Sequence, residues 1–203
     1  MSVPGLAHGL ETFDDIEPHV FGTIDEANPQ AAQAWGPRVQ AFSTCGPASL
    51  QRAPKMATAL TSLDPDVLDV QGLWTWSSKV NLNHYRRTQR PYMITPRGML
   101  DPWARSNSVW KKKLFATLVE RAHINAAHAF RATAEMEAQH FRNMGITAPI
   151  AVVPNAIETR PLAKRPPSNG RRRVAFLSRV HPKKGIDYLL RAWSALEGQF
   201  PEW

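Results

Sequence analysis

The chain has 203 residues, with 25 Lys and Arg against 17 Asp and Glu, a net charge of +8 and one cysteine, Cys45. That length holds one sizeable core, or one domain with part of another, and does not suggest two complete domains. A lone cysteine excludes an internal disulfide and a cysteine metal cluster, and no apolar stretch approaches the ~20 residues needed to span a bilayer, so a cytoplasmic protein is expected.

Taken in order, SVPGLAHGL (2–10) suits a short helix with Pro4 in its first turn, where a missing N–H does no harm. Residues 11–30 are acidic and rich in turn formers, with room for one short strand around His19 to Gly22. A second strand is expected at Val39 to Phe42. The helical pattern from Pro47 to Leu63 must break or kink at Pro54. Asp66 to Val70 alternates as a strand and runs into the turn Gln71-Gly72-Leu73-Trp74. A helix from about Trp76 to Thr88 leads to a strand at Tyr92 to Thr95 and then to PRGMLDPW, 96–103.

From Val109 to about Ala122 an amphipathic helix is expected, with Trp110, Leu114, Phe115 and Leu118 on one stripe beside Lys111, Lys112 and Lys113. Such a helix packs inward or lies on an anionic membrane surface. Two further strands, Ala129 to Thr133 and Ile150 to Val153, flank a helix for which Thr133 is the expected N-cap, with Glu135 and Glu137 in its first turn. The alternation of strand and helix predicts a parallel, doubly wound α/β sheet.

Charge then changes along the chain. From Arg160 onward there are 10 basic and 3 acidic residues, leaving 15 and 14 before it. The step coincides with a Pro-rich stretch carrying Arg171 to Arg173, so we expect a domain at 1–159, a basic linker at 160–173 and a second segment at 174–203. In that segment the apolar run Val174 to Leu177 reads as a strand, and Ile186, Leu189, Leu190 and Trp193 have helical spacing. Between them Arg179, His181, Lys183 and Lys184 crowd the positive end of the helix dipole. That crowding makes electrostatic sense if a phosphate or diphosphate sits among them. The histidines are scattered, no Ser-His-Asp order can be argued, and no His or Cys cluster has metal-ligand spacing.

Four stretches, FLSRVHPKKG, PRGMLDPW, VPNAIE and QGLW, together resemble the retaining, nucleotide-sugar-dependent glycosyltransferases of family four. Gln71 stands where His is usual in that family, and Ala156 replaces a usual Gly. The resemblance implies a Rossmann-like acceptor domain followed by the first strand-helix unit of a second, donor-binding Rossmann-like domain, two such domains making the GT-B fold. It implies that Arg179 and Lys184 act as catalytic cations on the leaving diphosphate. Gly72, Trp74, Arg97, Gly98, Asn155 and Gly185 are implied to contact substrate. The implied partners are a nucleotide-sugar donor and a saccharide or lipid-linked acceptor in cell-surface polysaccharide synthesis, with peripheral membrane contact, no nucleic acid, no metal and no resident cofactor. It also implies a fragment, without the family's glycine-rich first turn and later donor-site glutamates. Two rivals come from the residues themselves: a basic module that binds phosphate or nucleic acid, and a non-catalytic remnant with an exposed apolar stripe.

Overall fold

The computed structural model describes residues 2–24, 30, 32, 35–101, 119–156, 172–201 and 203. The chain divides into two compact units, Met1–Glu158 and Thr159–Trp203. Helix α1 spans Ser2–Leu10. Strands β1 (Val20–Thr23) and β2 (Val39–Phe42) pair in parallel, from Val20 opposite Val39 to Thr23 opposite Phe42. A one-turn 3-10 helix at Ala48–Leu50 ends on Gln51 at φ 47°, and α2 covers Pro54–Leu63. The helical pattern expected across 47–63 is thus divided, with Pro54 at the first helical position, where it opens a helix without losing a hydrogen bond.

The rest of this unit alternates as expected: β3 (Leu68–Gln71), α3 (Trp76–Thr88), β4 (Tyr92–Thr95), α4 (Arg121–Asn125), β5 (Ala129–Ala132), α5 (Glu135–Asn143) and β6 (Ile150–Val152). Strands β3, β4, β5 and β6 lie side by side in that order, all parallel. One rung crosses the whole sheet, Val70 to Ile94 to Phe130 to Ile150, and carries the middle of the core. Tyr92, Leu73, Leu100 and Phe141 are the other large side chains buried in that core, with Ala127, Ala132 and Ile146 beside them. A smaller apolar cluster of Ala53, Met56, Leu60 and Val80, with Phe21 and Phe42 against it, seats α2 on the β1–β2 pair and on α3. This is the α/β, Rossmann-like parallel arrangement. Because parallel strands share a direction, their carboxyl ends and the loops that follow meet along one edge.

Two expectations are corrected. Thr133 is not the N-cap of the helix after β5; that position is Ala134, which makes no side-chain cap. The Thr133 hydroxyl instead donates forward to Glu137 at 2.8 Å. In the second unit, residues 172–177 have no regular secondary structure, and Val174, Phe176 and Leu177 are exposed where a buried strand was expected. An extended segment becomes a strand only with a neighbour to satisfy its N–H and C=O groups, and among the described residues of this unit there is no second strand. Its helix does form, as α6 (Ile186–Leu196), with Ile186, Leu189 and Trp193 half-buried along one stripe. Most of the amphipathic helix expected at 109–122, and the linker up to residue 171, lie outside the described residues.

Candidate functional site

Polar groups of the first unit gather at the carboxyl edge of the sheet. After β4 the chain reverses through Pro96-Arg97-Gly98-Met99, closed by Met99 N–H donating to Pro96 O at 3.1 Å. Arg97 has φ 53° and Gly98 φ 76°. Positive φ at both central residues marks a mirror-image turn, easy for Gly98 and strained for Arg97. The buried carboxylate of Glu137, in the first turn of α5, holds the turn in place. Its Oε1 accepts Gly98 N–H at 2.6 Å, while its Oε2 accepts the Thr133 N–H at 2.7 Å and the Thr133 hydroxyl.

The turn aims Arg97 along the edge. Its Nε donates to Gln71 Oε1 at 2.6 Å and its Nη1 to Asn155 Oδ1 at 3.1 Å, so one guanidinium joins the carboxyl end of β3 to the loop after β6. Asn155 is set in turn by Arg131, whose Nε and Nη2 donate to the carbonyls of Val153 and Pro154. Gln71 donates through Nε2 to Asp69 Oδ2 and, at 3.4 Å, to Thr95 Oγ1; the Thr95 hydroxyl donates to Asp69 Oδ1 at 2.9 Å. The Gln71 amide thus bridges Arg97 to Asp69.

Charges along this edge feel one another. Desolvation, then the positive charge of Arg131, lowers the Arg97 pKa, and a guanidinium still stays charged at neutral pH. Desolvation raises the Asp69 carboxyl pKa, against the lowering effects of the Thr95 hydroxyl and of Arg131. Asp69 therefore binds its proton more tightly in the folded protein than in the unfolded chain. Its contribution to stability is present at low pH and is lost as pH rises through the raised pKa. Melting curves between about pH 4 and 7 should show Asp69→Asn flattening that decline. An unchanged pH profile would contradict the assignment.

A second turn follows β3. Gly72 has φ 94° and donates its N–H to Thr95 O at 2.9 Å; a Cβ there would lie 3.3 Å from Met99 Cε. Leu73 N–H points at Met99 Sδ, and Trp74, also left-handed at φ 65°, donates its N–H to Glu120 Oε2 at 2.8 Å. The Trp74 indole packs against the core. Glu120 is fully buried. Its Oε1 lies 2.9 Å from His123 Nδ1, and His123 Nε2 lies 3.0 Å from Asn81 Nδ2 on α3. Asn81 Nδ2 can only donate, so on this orientation of the amide His123 Nε2 accepts and its Nδ1 carries the hydrogen toward Glu120. Tyr92 stacks on the His123 ring, and burial pushes its phenol pKa up, keeping the O–H that donates to His123 O.

A cleft of about 250 Å³ opens beside these turns, between the carboxyl ends of β1 and β3. Gly22 and Thr23 form one wall, Gln71, Gly72, Thr75 and Ser77 the other, and Gln51, Met56 and Met99 also line it.

Of the residues expected to contact substrate, Gly72, Trp74, Arg97, Gly98 and Asn155 come together along this one edge. Arg179, Lys184 and Gly185 belong to the other unit. There Arg179 and Lys184 are exposed and make no ion pair among the described residues. Lys184 ends a one-turn 3-10 helix, Pro182–Lys184, and Gly185 at φ 66° is the N-cap of α6. The sequence reading missed Glu120, Asp69, Thr23 and Gln51, and saw Glu137 only as a first-turn acid. Among the described residues no group of His, Cys, Asp and Glu is placed to hold a metal ion, and no helix is long and apolar enough to cross a membrane.

Comparison with known proteins finds one family: residues 3–156 match a glycosyl transferase 4-like domain. No curated protein and no solved structure matches the chain.

Proposed function

Because the chain belongs to the glycosyl transferase 4-like family, we propose that it serves the transfer of a sugar, with retention, from a nucleotide-diphosphate donor to a saccharide or lipid-linked acceptor. The observation that carries this reading is the gathering of Gly72, Arg97, Gly98 and Asn155 along the carboxyl edge of the sheet, where ligands of α/β sheets bind, with a cleft that Gly72 lines opening beside them. In this reading the first unit is the acceptor side, and the segment from residue 174 onward begins the donor side. The setting is cell-surface polysaccharide synthesis at the cytoplasmic face of a membrane, with peripheral contact and no resident cofactor.

The chemistry follows from charge. Breaking the bond to the donor sugar leaves positive charge on the ring and negative charge on the departing diphosphate. Cations already in position stabilise that diphosphate without reorganising at the moment of reaction. Arg179 supplies a planar donor fork, Lys184 a compact charge, and the α6 N-terminus beside left-handed Gly185 supplies backbone N–H groups.

Calorimetric titration with UDP and GDP tests this. Saturable binding of one of them, weakened about 10- to 100-fold in Arg179→Ala, is the expected result, since a charge-assisted hydrogen bond contributes about 1.5–3 kcal/mol. Equal affinity in both proteins removes Arg179 from the mechanism. Binding of any polyanion with a steep salt dependence favours a general phosphate or nucleic-acid module instead.

A further inference from the structure

We infer that the cleft between β1 and β3 binds an uncharged, hydroxyl-rich ligand, the neutral end of a saccharide, and discriminates against phosphate esters. This deepens the proposed function and rests on it for the identity of the ligand as an acceptor.

Three observations carry the inference. Among the described residues no ionisable side chain lines the cleft; its polar side chains there are hydroxyls and amides. The Thr23 hydroxyl and the Gln51 amide have no side-chain hydrogen bond among the described residues. Thr75 Oγ1 and Ser77 Oγ share a single hydrogen bond of 2.7 Å, which leaves one hydroxyl hydrogen of the pair to give. Such groups both donate and accept, as a sugar's hydroxyls do, whereas an anion needs donors alone. Second, Phe21, Met56, Leu73 and Met99 add apolar surface suited to the C–H faces of a pyranose ring. A volume of about 250 Å³ suits one or two sugar units rather than a long chain.

The third observation concerns the rival ligand. The N-terminus of α3 adjoins the cleft through Thr75 and Ser77, and a helix N-terminus ordinarily attracts an anion. Here the carboxylate of Glu120 already sits at that end, accepting the Trp74 N–H just ahead of the helix, so the positive pole is met from within the protein. Three cations of this unit are also held by other partners: Arg97 by Gln71 and Asn155, with Lys79 and Arg52 over the Trp76 ring at 4.8 and 5.4 Å. A phosphate entering the cleft would give up part of its hydration and meet no cationic side chain among the described lining residues, which is unfavourable.

Saturation-transfer NMR on the full chain tests this, with maltotriose, cellotriose and mannotriose as neutral probes and glucose 6-phosphate beside glucose as the charged pair. At least one neutral probe is expected to bind, about fivefold more weakly to Thr23→Val and to Gln51→Asn, and glucose 6-phosphate no better than glucose. Asparagine is chosen because it tolerates the left-handed backbone at Gln51. Tighter, salt-sensitive binding of the phosphate ester overturns the inference in favour of an anion site. Absence of binding by every neutral probe, or binding indifferent to both substitutions, overturns it outright. Its failure is separate from that of the proposed function. Nucleotide binding lost in Arg179→Ala beside an unresponsive cleft sinks only the cleft assignment, and saccharide binding at the cleft without any nucleotide binding sinks only the transferase.

Discussion

Glu137→Ala is expected to destabilise the protein by about 3 kcal/mol and to lower its melting temperature by about 10 °C. Glu137 is 6% exposed, and its carboxylate accepts three hydrogen bonds, from Gly98 N–H, Thr133 N–H and the Thr133 hydroxyl. Truncation strands donors that water reaches poorly, and each orphan costs about 1–3 kcal/mol. The loss is also directional. Arg97 is held at φ 53° because its neighbour Gly98 is tethered, and without the tether the strained residue relaxes toward a commoner backbone region. Glu137→Gln keeps one acceptor oxygen but sets an amide N–H₂ against a donor, so about half the loss should remain. Urea denaturation measures both variants, and a change below about 1 kcal/mol in the alanine variant would show that the turn stands without its anchor.

Glu120→Ala should cost more, about 4 kcal/mol, since truncation at a fully buried position leaves a cavity and strands two donors, Trp74 N–H and His123 Nδ1–H, at about 1–3 kcal/mol each. The fully buried carboxylate joins Trp74 N–H ahead of α3 to His123, and through His123 to Asn81 within α3. Losing it loosens the Gly72-Leu73-Trp74 turn from beneath. Glu120→Gln, of the same shape, should recover part of the loss. In the near-ultraviolet circular dichroism spectrum the tryptophan signal should fall in the alanine variant before secondary structure is lost. Equal stability of the three proteins would make the network incidental.

Sequence reasoning reached some parts of this molecule and not others, for physical reasons. Strands β2 and β4 and helix α3 have the expected bounds because a short apolar run or a helical stripe between turn formers is sufficient local information. Pro54 announced its own position, since a missing N–H restricts where it can sit. The apolar run at 174–177 has the same local signature as β4, yet it is not a strand, because pairing depends on a neighbour that periodicity does not reveal. At the carboxyl edge, Arg97 and Gly98 stood out as a turn beyond a strand. Their anchor did not, because Glu137 is 39 residues away and looks like any acid in a first helical turn. Glu120 follows a basic, aromatic stretch with nothing to mark it as buried, and Gln71 drew notice only as a departure from a pattern.

The single cysteine offers a practical route to this edge. Cys45 is exposed three residues beyond β2, and its backbone N–H donates to Arg52 O at 2.8 Å, next to Gln51 in the cleft wall. A thiol-reactive dye therefore attaches at one native position, without engineering, close to where the ligand is expected. Its emission would report occupancy as acceptor is titrated in, giving the unmodified sequence a built-in optical probe.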